Sequence, residues 1–225
     1  MRNDTIELDN IEFEFVKEEK KQQPDILMKV ILVGSSSVGK TCLLHRILYD
    51  VFEPNLGNTI GVSNASINCN INNKIIKMQI WDTAGTEQYH SVVKLFFKGA
   101  NFVILIFDLT SRDSFKDLNY WMHEIKNECT PNTQTILVGN KCDDINNFKI
   151  QKNEVTEFME NHNFVFYEET SAKSGQNSKI IFIKIAKLFY LNLSPKNQNQ
   201  NQKGNLSSPK FSQNNKSKEK ENCQC

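Results

Sequence analysis

Residues 34–41 have the types and spacing of a loop that binds phosphate. They read Gly-Ser-Ser-Ser-Val-Gly-Lys-Thr, after an apolar run and before an amphipathic stretch. Glycines let a backbone wrap around a phosphate, so that N–H groups and the start of the next helix face its charge. Lys40 then reaches the β and γ oxygens, and the Thr41 hydroxyl is a ligand for Mg²⁺. The alternative, a Ser/Gly-rich turn that caps an ordinary helix, is disfavoured because the complete motif stands in the required context.

Short apolar runs alternate with amphipathic stretches in the part of the chain that must position this loop. The runs predict strands at 27–33, 78–80, 102–107, 135–138 and 165–167, and the stretches predict helices at 41–48, 114–128, 153–160 and 179–191. This alternation predicts an α/β fold with a six-stranded, mostly parallel sheet and helices on both faces. Asn72-Asn73 tolerates positive φ between alternating residues, and so predicts an antiparallel hairpin at one sheet edge.

The composition divides the chain into three parts. Residues 1–25 are charged and contain Lys17-Glu18-Glu19-Lys20-Lys21, so we expect an N-terminal leader outside the core. Residues 26–191 carry the periodic pattern and form the predicted catalytic domain. Residues 192–225 are rich in Asn, Gln, Ser and Lys and poor in aliphatic side chains, which predicts a flexible tail.

Charge and apolar content exclude several classes of protein. There are 27 basic and 26 acidic side chains, so no global field attracts nucleic acid. The apolar run at 102–107 is far shorter than a membrane span. The start lacks a secretory pattern, and Arg2 stands where myristoylation needs glycine. Cys42, Cys69, Cys129 and Cys142 lack the spacing of a disulfide framework or metal site, which indicates a reduced, intracellular chain.

Two further motifs follow later strands and carry a family resemblance. They are Asn140-Lys141-Cys142-Asp143 and Thr170-Ser171-Ala172-Lys173. These two motifs occur together with the phosphate loop, Thr59 and the segment Trp81-Asp82-Thr83-Ala84-Gly85. In this combination the chain resembles the small GTPases of the Ras superfamily. Segments 58–62, 96–100 and 105–110 resemble Rab members in particular. The resemblance covers about 27–191 and the last three residues.

The resemblance implies a guanine nucleotide site. The Asp143 carboxylate accepts both N1–H and the exocyclic amine of guanine, which adenine does not offer. The Lys141 stem covers the base, Asn140 and the Ala172 N–H lie at O6, and Phe52 meets the base edge. The implied nucleotide-binding residues are Gly34, Ser35, Ser36, Ser37, Val38, Gly39, Lys40, Thr41, Cys42, Phe52, Thr59, Asp82, Gly85, Asn140, Lys141, Asp143, Ser171, Ala172 and Lys173. The implied ligands of Mg²⁺ are Thr41, Thr59 and Asp82, and the implied catalytic residues are Lys40, Thr59, Gly85 and Thr86.

The last residues, Cys223-Gln224-Cys225, resemble the Rab signal for double prenylation. A C-a-a-X box would need a cysteine where this chain has Asn222, so that type of single prenylation is disfavoured. Cys223 and Cys225 are therefore the expected lipidation sites. The resemblance also implies a monomer on the cytoplasmic face of an intracellular or plasma membrane that cycles with the cytosol.

Two departures from the family pattern affect activity and partners. Thr86 stands where the family has the glutamine that orients the attacking water, and its hydroxyl is too short to replace that amide. The alternative is that Gln88 or His90 positions the water. Ser63-Asn64 stands where an aromatic residue is usual, so only Trp81 and Phe96 remain of three hydrophobic residues that Rab effectors grip.

These observations predict a Rab-like GTPase that binds GTP and GDP with Mg²⁺, cycles between switch states and regulates membrane traffic. We expect slow intrinsic hydrolysis because of Thr86. The implied partners are exchange factors, activating proteins, a GDP-dissociation inhibitor or escort protein, effectors and a membrane. The alternative is a GTP-locked module that acts as a constitutive membrane scaffold. A phosphate-loop kinase is a more distant alternative, since such enzymes do not need the two base-binding motifs.

Overall fold

A computed structural model describes residues 8, 11–16 and 23–193. The strands are β1 (Phe13–Val16), β2 (Ile26–Val33), β3 (Val62–Ile71), β4 (Lys74–Thr83), β5 (Phe102–Asp108), β6 (Gln134–Asn140) and β7 (Phe164–Glu169). The α-helices are α1 (Lys40–Tyr49), α2 (His90–Phe97), α3 (Arg112–Lys116), α4 (Leu118–Glu128), α5 (Lys152–Glu160) and α6 (Ser178–Leu193). Short 3₁₀ turns lie at Glu87–Tyr89 and Ile145–Asn147.

One mostly parallel sheet runs through these residues in the order β1-β3-β4-β2-β5-β6-β7. The β2–β4, β2–β5, β5–β6 and β6–β7 pairs are parallel, and β1–β3 and β3–β4 are antiparallel. The parallel strands end at the same edge, where the phosphate loop follows β2 and the first base-binding motif begins at the end of β6. The α/β fold class is confirmed.

The central strands are buried on both faces, which explains why they read as continuous apolar runs. Val30 and Leu32 of β2 belong to a core layer with residues of α1 and α6, whereas Ile31 and Val33 belong to a second layer with residues of α2, α4 and α5. Helices therefore cover both faces of the sheet, as predicted.

The strand β1 corrects two expectations from the sequence. It lies within the leader and pairs with the end of β3, so the sheet has seven strands rather than six. Ile11 is 7% exposed and belongs to the core layer of α6, so residues 11–16 do not lie outside the core. Lys187 of α6 also donates to the Leu8 carbonyl, at 2.9 Å. Charged residues surround this short apolar segment, so the average composition of residues 1–25 gives no sign of a buried strand.

The β3–β4 hairpin has the predicted turn, and other boundaries differ from the prediction. Asn72 and Asn73 have φ of 46° and 64°. The hairpin lies at the sheet edge only in part, because β1 pairs with residues 68–71 of β3 and covers that end of the strand. The helix predicted at 114–128 is two helices that meet at Asp117, and α2 was not predicted from periodicity. The tail from residue 194 lies outside the described residues, so its flexibility stays a prediction.

Within the described part of the chain, no helix has the length and apolar character needed to cross a bilayer. Cys42, Cys69, Cys129 and Cys142 are free thiols there, in agreement with their scattered spacing.

We predict that Ile11→Ala lowers the free energy of unfolding by about 2 kcal/mol or more, because it removes a buried aliphatic side chain and leaves a cavity. Denaturant unfolding at saturating GDP measures the change. Glu12→Ala is the matched control, since Glu12 is the next residue and is exposed. Equal stability of Ile11→Ala and the wild type would show that this segment does not pack on the core in solution.

Candidate guanine nucleotide site

A cavity of about 530 Å³ opens at the edge of the sheet where the parallel strands end. Its lining includes Ser36, Ser37, Gly39, Lys40, Thr41, Cys42, Phe52, Thr59, Gly85, Thr86, Asn140, Lys141, Asp143, Ala172 and Lys173, all of which were predicted. The remaining predicted residues contact this lining through hydrogen bonds: Gly34, Ser35, Val38, Asp82 and Ser171. The structure thus brings the separate motifs together.

The phosphate loop is organised around the buried ammonium of Lys40. This side chain donates to the carbonyls of Gly34 and Ser35, both at 2.8 Å. Burial lowers the pKa of Lys40 to about 8, and the charge of Asp82 opposes that shift. Gly39 has φ of 95°, and a Cβ there would lie 2.3 Å from the Asn140 amide nitrogen, so this position needs glycine.

Thr41, Thr59 and Asp82 form the corner where Mg²⁺ was predicted. The Thr41 hydroxyl donates to Asp82 Oδ2 at 2.7 Å and lies 2.7 Å from the Thr59 hydroxyl. Burial raises the pKa of Asp82, against the effect of the two hydroxyl donors and Lys40. Asp82 Oδ1 is buried and has no hydrogen-bond partner among the described residues. A buried carboxylate oxygen beside two hydroxyls fits a hard divalent cation.

Gly85 and Thr86 bring the segment after β4 against the phosphate loop. A Cβ on Gly85 would lie 2.4 Å from the Ser35 carbonyl carbon and the Ser36 nitrogen, so a larger residue would displace this loop. The Thr86 hydroxyl oxygen is buried and, among the residues described, has no hydrogen-bond partner. Both residues line the cavity. Neither Gln88 nor His90 does.

Asn140 connects the two ends of the site. Its amide nitrogen donates to the Val38 carbonyl at 2.8 Å, and its Oδ1 accepts from the Thr170 hydroxyl and the Ala172 N–H, both at 3.2 Å. The side chain is almost completely buried. Asn140 therefore holds the phosphate loop and residues 170–172 together, and its contact with guanine O6 stays a prediction.

Asp143 is held in place by the loop after β7. Ser171 donates its hydroxyl to Asp143 Oδ1 at 2.5 Å, and the Lys173 ammonium lies 3.8 Å from Oδ2. Lys141 has φ of 66°, and its ammonium pairs with Asp108 at 2.7 Å. These contacts restrain both side chains that were predicted to bind the base.

The sequence reading missed several residues of the lining. They are Pro54, Leu56, Gly57, Asn58, Thr83 and Asp144. Residues 54–58 belong to an irregular loop without hydrophobic periodicity. Their position just before Thr59 was the available signal.

The surface beside the cavity contains both hydrophobic residues expected to contact effectors. The rings of Trp81 and Phe96 lie 4.9 Å apart. Asn64 is the cross-strand partner of Trp81, so an amide lies beside this ring. The His90 ring stacks on that of Tyr120, with 4.8 Å between the ring centroids.

A phosphate loop between a parallel strand and a helix, with base-binding motifs after later strands, defines a phosphate-loop nucleotide-binding protein. Residues 29–190 match the Ras family. Human Ras-related protein Rab-30 is 38% identical over 162 residues, which are 72% of this chain and 79% of that relative. Ras-related protein Rab-2B of Dictyostelium discoideum is 41% identical over 158 residues, or 70% and 78% of the two chains. Ras-related protein SEC4 of Candida albicans is 38% identical over 164 residues, or 73% and 78%.

The chain belongs to the Ras family. It is a Rab-like small GTPase, which binds guanine nucleotide and hydrolyses GTP.

We predict that Asp143→Asn weakens GTP binding by about tenfold or more, because the amide no longer accepts from both guanine donors. Xanthine nucleotides should gain affinity, since their 2-oxo group complements an amide donor. Calorimetric titration with GTP and XTP measures both changes.

Asp144→Asn is the matched control for this prediction. Asp144 is the adjacent carboxylate in the same lining, and its Oδ1 accepts from Asn147 rather than from Ser171. We expect this variant to keep the nucleotide preference of the wild type. Unchanged GTP affinity in Asp143→Asn would refute the assignment of Asp143.

Proposed function

We propose that this GTPase is a membrane-anchored switch in vesicle trafficking. The proposal depends mainly on one observation, which is the convergence of two separate loops on one cavity. Thr59 comes from the loop before β3, and its hydroxyl lies 2.7 Å from that of Thr41. Gly85 comes from the loop after β4 and lies directly on the phosphate loop.

The γ-phosphate would restrain both loops in the GTP state. The Gly85 N–H would donate to it and Thr59 would be a ligand of the cation, so that segments 52–64 and 84–98 would be ordered together. Hydrolysis removes both restraints. Exposed apolar side chains on these segments, such as Ile60 at 81% and Leu95 at 75% exposure, are available to partners that distinguish the two states.

Mg²⁺ would be held by Thr41, Thr59 and Asp82. When bound, the ion neutralises charge on the β- and γ-phosphates. The unpartnered Asp82 oxygen supports this assignment.

Intrinsic hydrolysis is slow in this proposal because Thr86 occupies the place of the water-orienting amide. Thr86 lines the cavity, and its side chain is shorter than that of glutamine. An activating protein that supplies an arginine to the transition state restores turnover, since such a residue contributes about 10³- to 10⁵-fold in rate. The relatives do not favour the alternative of a constitutive, GTP-locked scaffold.

The proposed partners are exchange factors, activating proteins, a GDP-dissociation inhibitor or escort protein, and effectors that contact Trp81 and Phe96. The protein acts as a monomer at the cytoplasmic face of a membrane and cycles with the cytosol. Nucleic acid is not among its partners in this proposal.

We predict that Thr86→Gln accelerates intrinsic GTP hydrolysis by about tenfold or more, because positioning a reacting water contributes at least this order of rate. Single-turnover hydrolysis of GTP-loaded protein with Mg²⁺ and no activating protein measures the rate. Thr86→Val keeps the branched shape without the hydroxyl, and we expect it to hydrolyse as slowly as the wild type. An equal or slower rate for Thr86→Gln would contradict the proposed effect of Thr86.

Membrane attachment requires both cysteines near the C-terminus, because one lipid chain gives only marginal binding. Cys223 and Cys225 lie outside the described residues, and their prenylation is part of the proposal. Lysines of the tail add up to about 1 kcal/mol each at an anionic surface.

We predict that Cys223→Ser and Cys225→Ser each reduce the membrane-bound fraction strongly and that the double variant abolishes it. Fractionation of the native cell gives this fraction, and mass spectrometry of the C-terminal peptide identifies the lipids. Finding both thiols unmodified in wild-type protein would overturn the anchoring proposal.

A further inference from the structure

Arg46 lies in the last turn of α1 and donates to three backbone carbonyls outside its own helical hydrogen bonds. Its Nε donates to the Ala172 carbonyl at 2.9 Å, and its Nη2 donates to the Lys173 carbonyl at 2.7 Å. Its Nη1 donates to the Asp50 carbonyl at 2.7 Å. The Ala172 and Lys173 contacts connect residues more than 120 positions apart in the sequence.

The three carbonyls belong to two segments that contact the nucleotide site. Ala172 and Lys173 line the cavity and belong to the loop that holds Asp143 through Ser171 and Asn140 through the Ala172 N–H. Asp50 ends α1, and the chain then leads within two residues to Phe52 in the cavity lining. Arg46 therefore joins the base-binding loop to the helix that begins with Lys40 and Thr41.

The chemistry of arginine suits this junction. The guanidinium is planar, stays charged and presents several N–H donors in a fixed geometry, whereas a lysine ammonium does not span separated carbonyls in the same way. The Arg46 side chain is only 14% exposed, which limits competition from water. Gly175 has φ of 86° and turns the loop beside the arginine stem, where a Cβ would lie 3.6 Å from Arg46 Cδ.

We propose that Arg46 is a positioning residue that holds the guanine-binding loop at a fixed distance from the phosphate-binding helix and thereby slows nucleotide release. The inference rests on the proposed nucleotide site and extends it to a residue that does not line the cavity. If the loop moves outward, the Ala172 N–H and the Ser171-held Asp143 lose their alignment with the base. Lys40 instead donates to the Gly34 and Ser35 carbonyls of the phosphate loop.

The test measures release of fluorescent GDP from full-length protein in Mg²⁺ buffer with excess unlabelled GDP. We expect Arg46→Met to accelerate release by about tenfold or more, which corresponds to the loss of one or more charged hydrogen bonds. Arg46→Lys keeps the charge and should fall between Arg46→Met and the wild type.

Arg112→Met is the matched control. Arg112 also ties a helix to a loop, through the Lys149 carbonyl and Glu154, but its partners lie outside the cavity lining. We expect its release rate to stay within about twofold of the wild type, since it shares no partner with Arg46.

Nucleotide preference separates positioning from general destabilisation. Arg46→Met should lower the ratio of GDP affinity to ADP affinity, because only guanine engages the aligned loop. Arg112→Met should leave that ratio unchanged even if its melting temperature falls. Should Arg46→Met fail to fold, Arg46→Lys provides the measurement.

Release from the Arg46 variants at the wild-type rate, an unchanged affinity ratio, or equal acceleration in Arg46→Met and Arg112→Met would overturn the proposal. If the wild type prefers GDP to ADP, the assignment of the nucleotide site is still supported after any of these outcomes. A wild type without that preference would instead refute the site.

Discussion

The structure depends on how the carbonyls of the phosphate loop are satisfied. A loop that directs its N–H groups at an anion must turn carbonyls away from it, and buried carbonyls need donors. Lys40 satisfies those of Gly34 and Ser35, and Asn140 satisfies that of Val38. The Gly39 carbonyl accepts from the Leu43 N–H at the start of α1. The loop is therefore held in shape by its own lysine, the next helix and the end of a distant strand.

The site buries two ionisable side chains whose charged forms need a ligand of opposite charge. Burial disfavours the charged forms of Lys40 and Asp82, because it lowers the pKa of the first and raises that of the second. A phosphate at Lys40 would favour its charged form, and a cation at Asp82 would favour its carboxylate. A nucleotide bound with the proposed metal would thus supply charges opposite to those that the protein has buried, and its binding would stabilise the folded state by mass action.

The departures from the family pattern lie outside the motifs that are proposed to bind the nucleotide. By the resemblance, the phosphate loop and the motifs at 140–143 and 170–173 follow the family pattern, whereas Thr86 and Asn64 depart from it. His90 packs on Tyr120 and Trp121, which ties the start of α2 to α4. In the proposed function, Thr86 and Asn64 concern the rate of hydrolysis and the choice of partner. Neither residue forms one of the hydrogen bonds that satisfy the Gly34, Ser35, Val38 and Gly39 carbonyls.

The sequence by itself determined the features that depend on local pattern. The phosphate loop, the Asn72-Asn73 turn, the parallel strands and most residues of the cavity lining followed from residue type, spacing and family likeness. Only the tertiary structure showed that β1 pairs with β3, that Ser35 donates to Asp117 at 2.7 Å, and that Arg46 reaches Ala172 and Lys173. Local periodicity reports which face of an element is buried, but it carries no information about which distant residue meets that face. A short strand among charged residues and an arginine on a helix therefore look ordinary until the chain is folded.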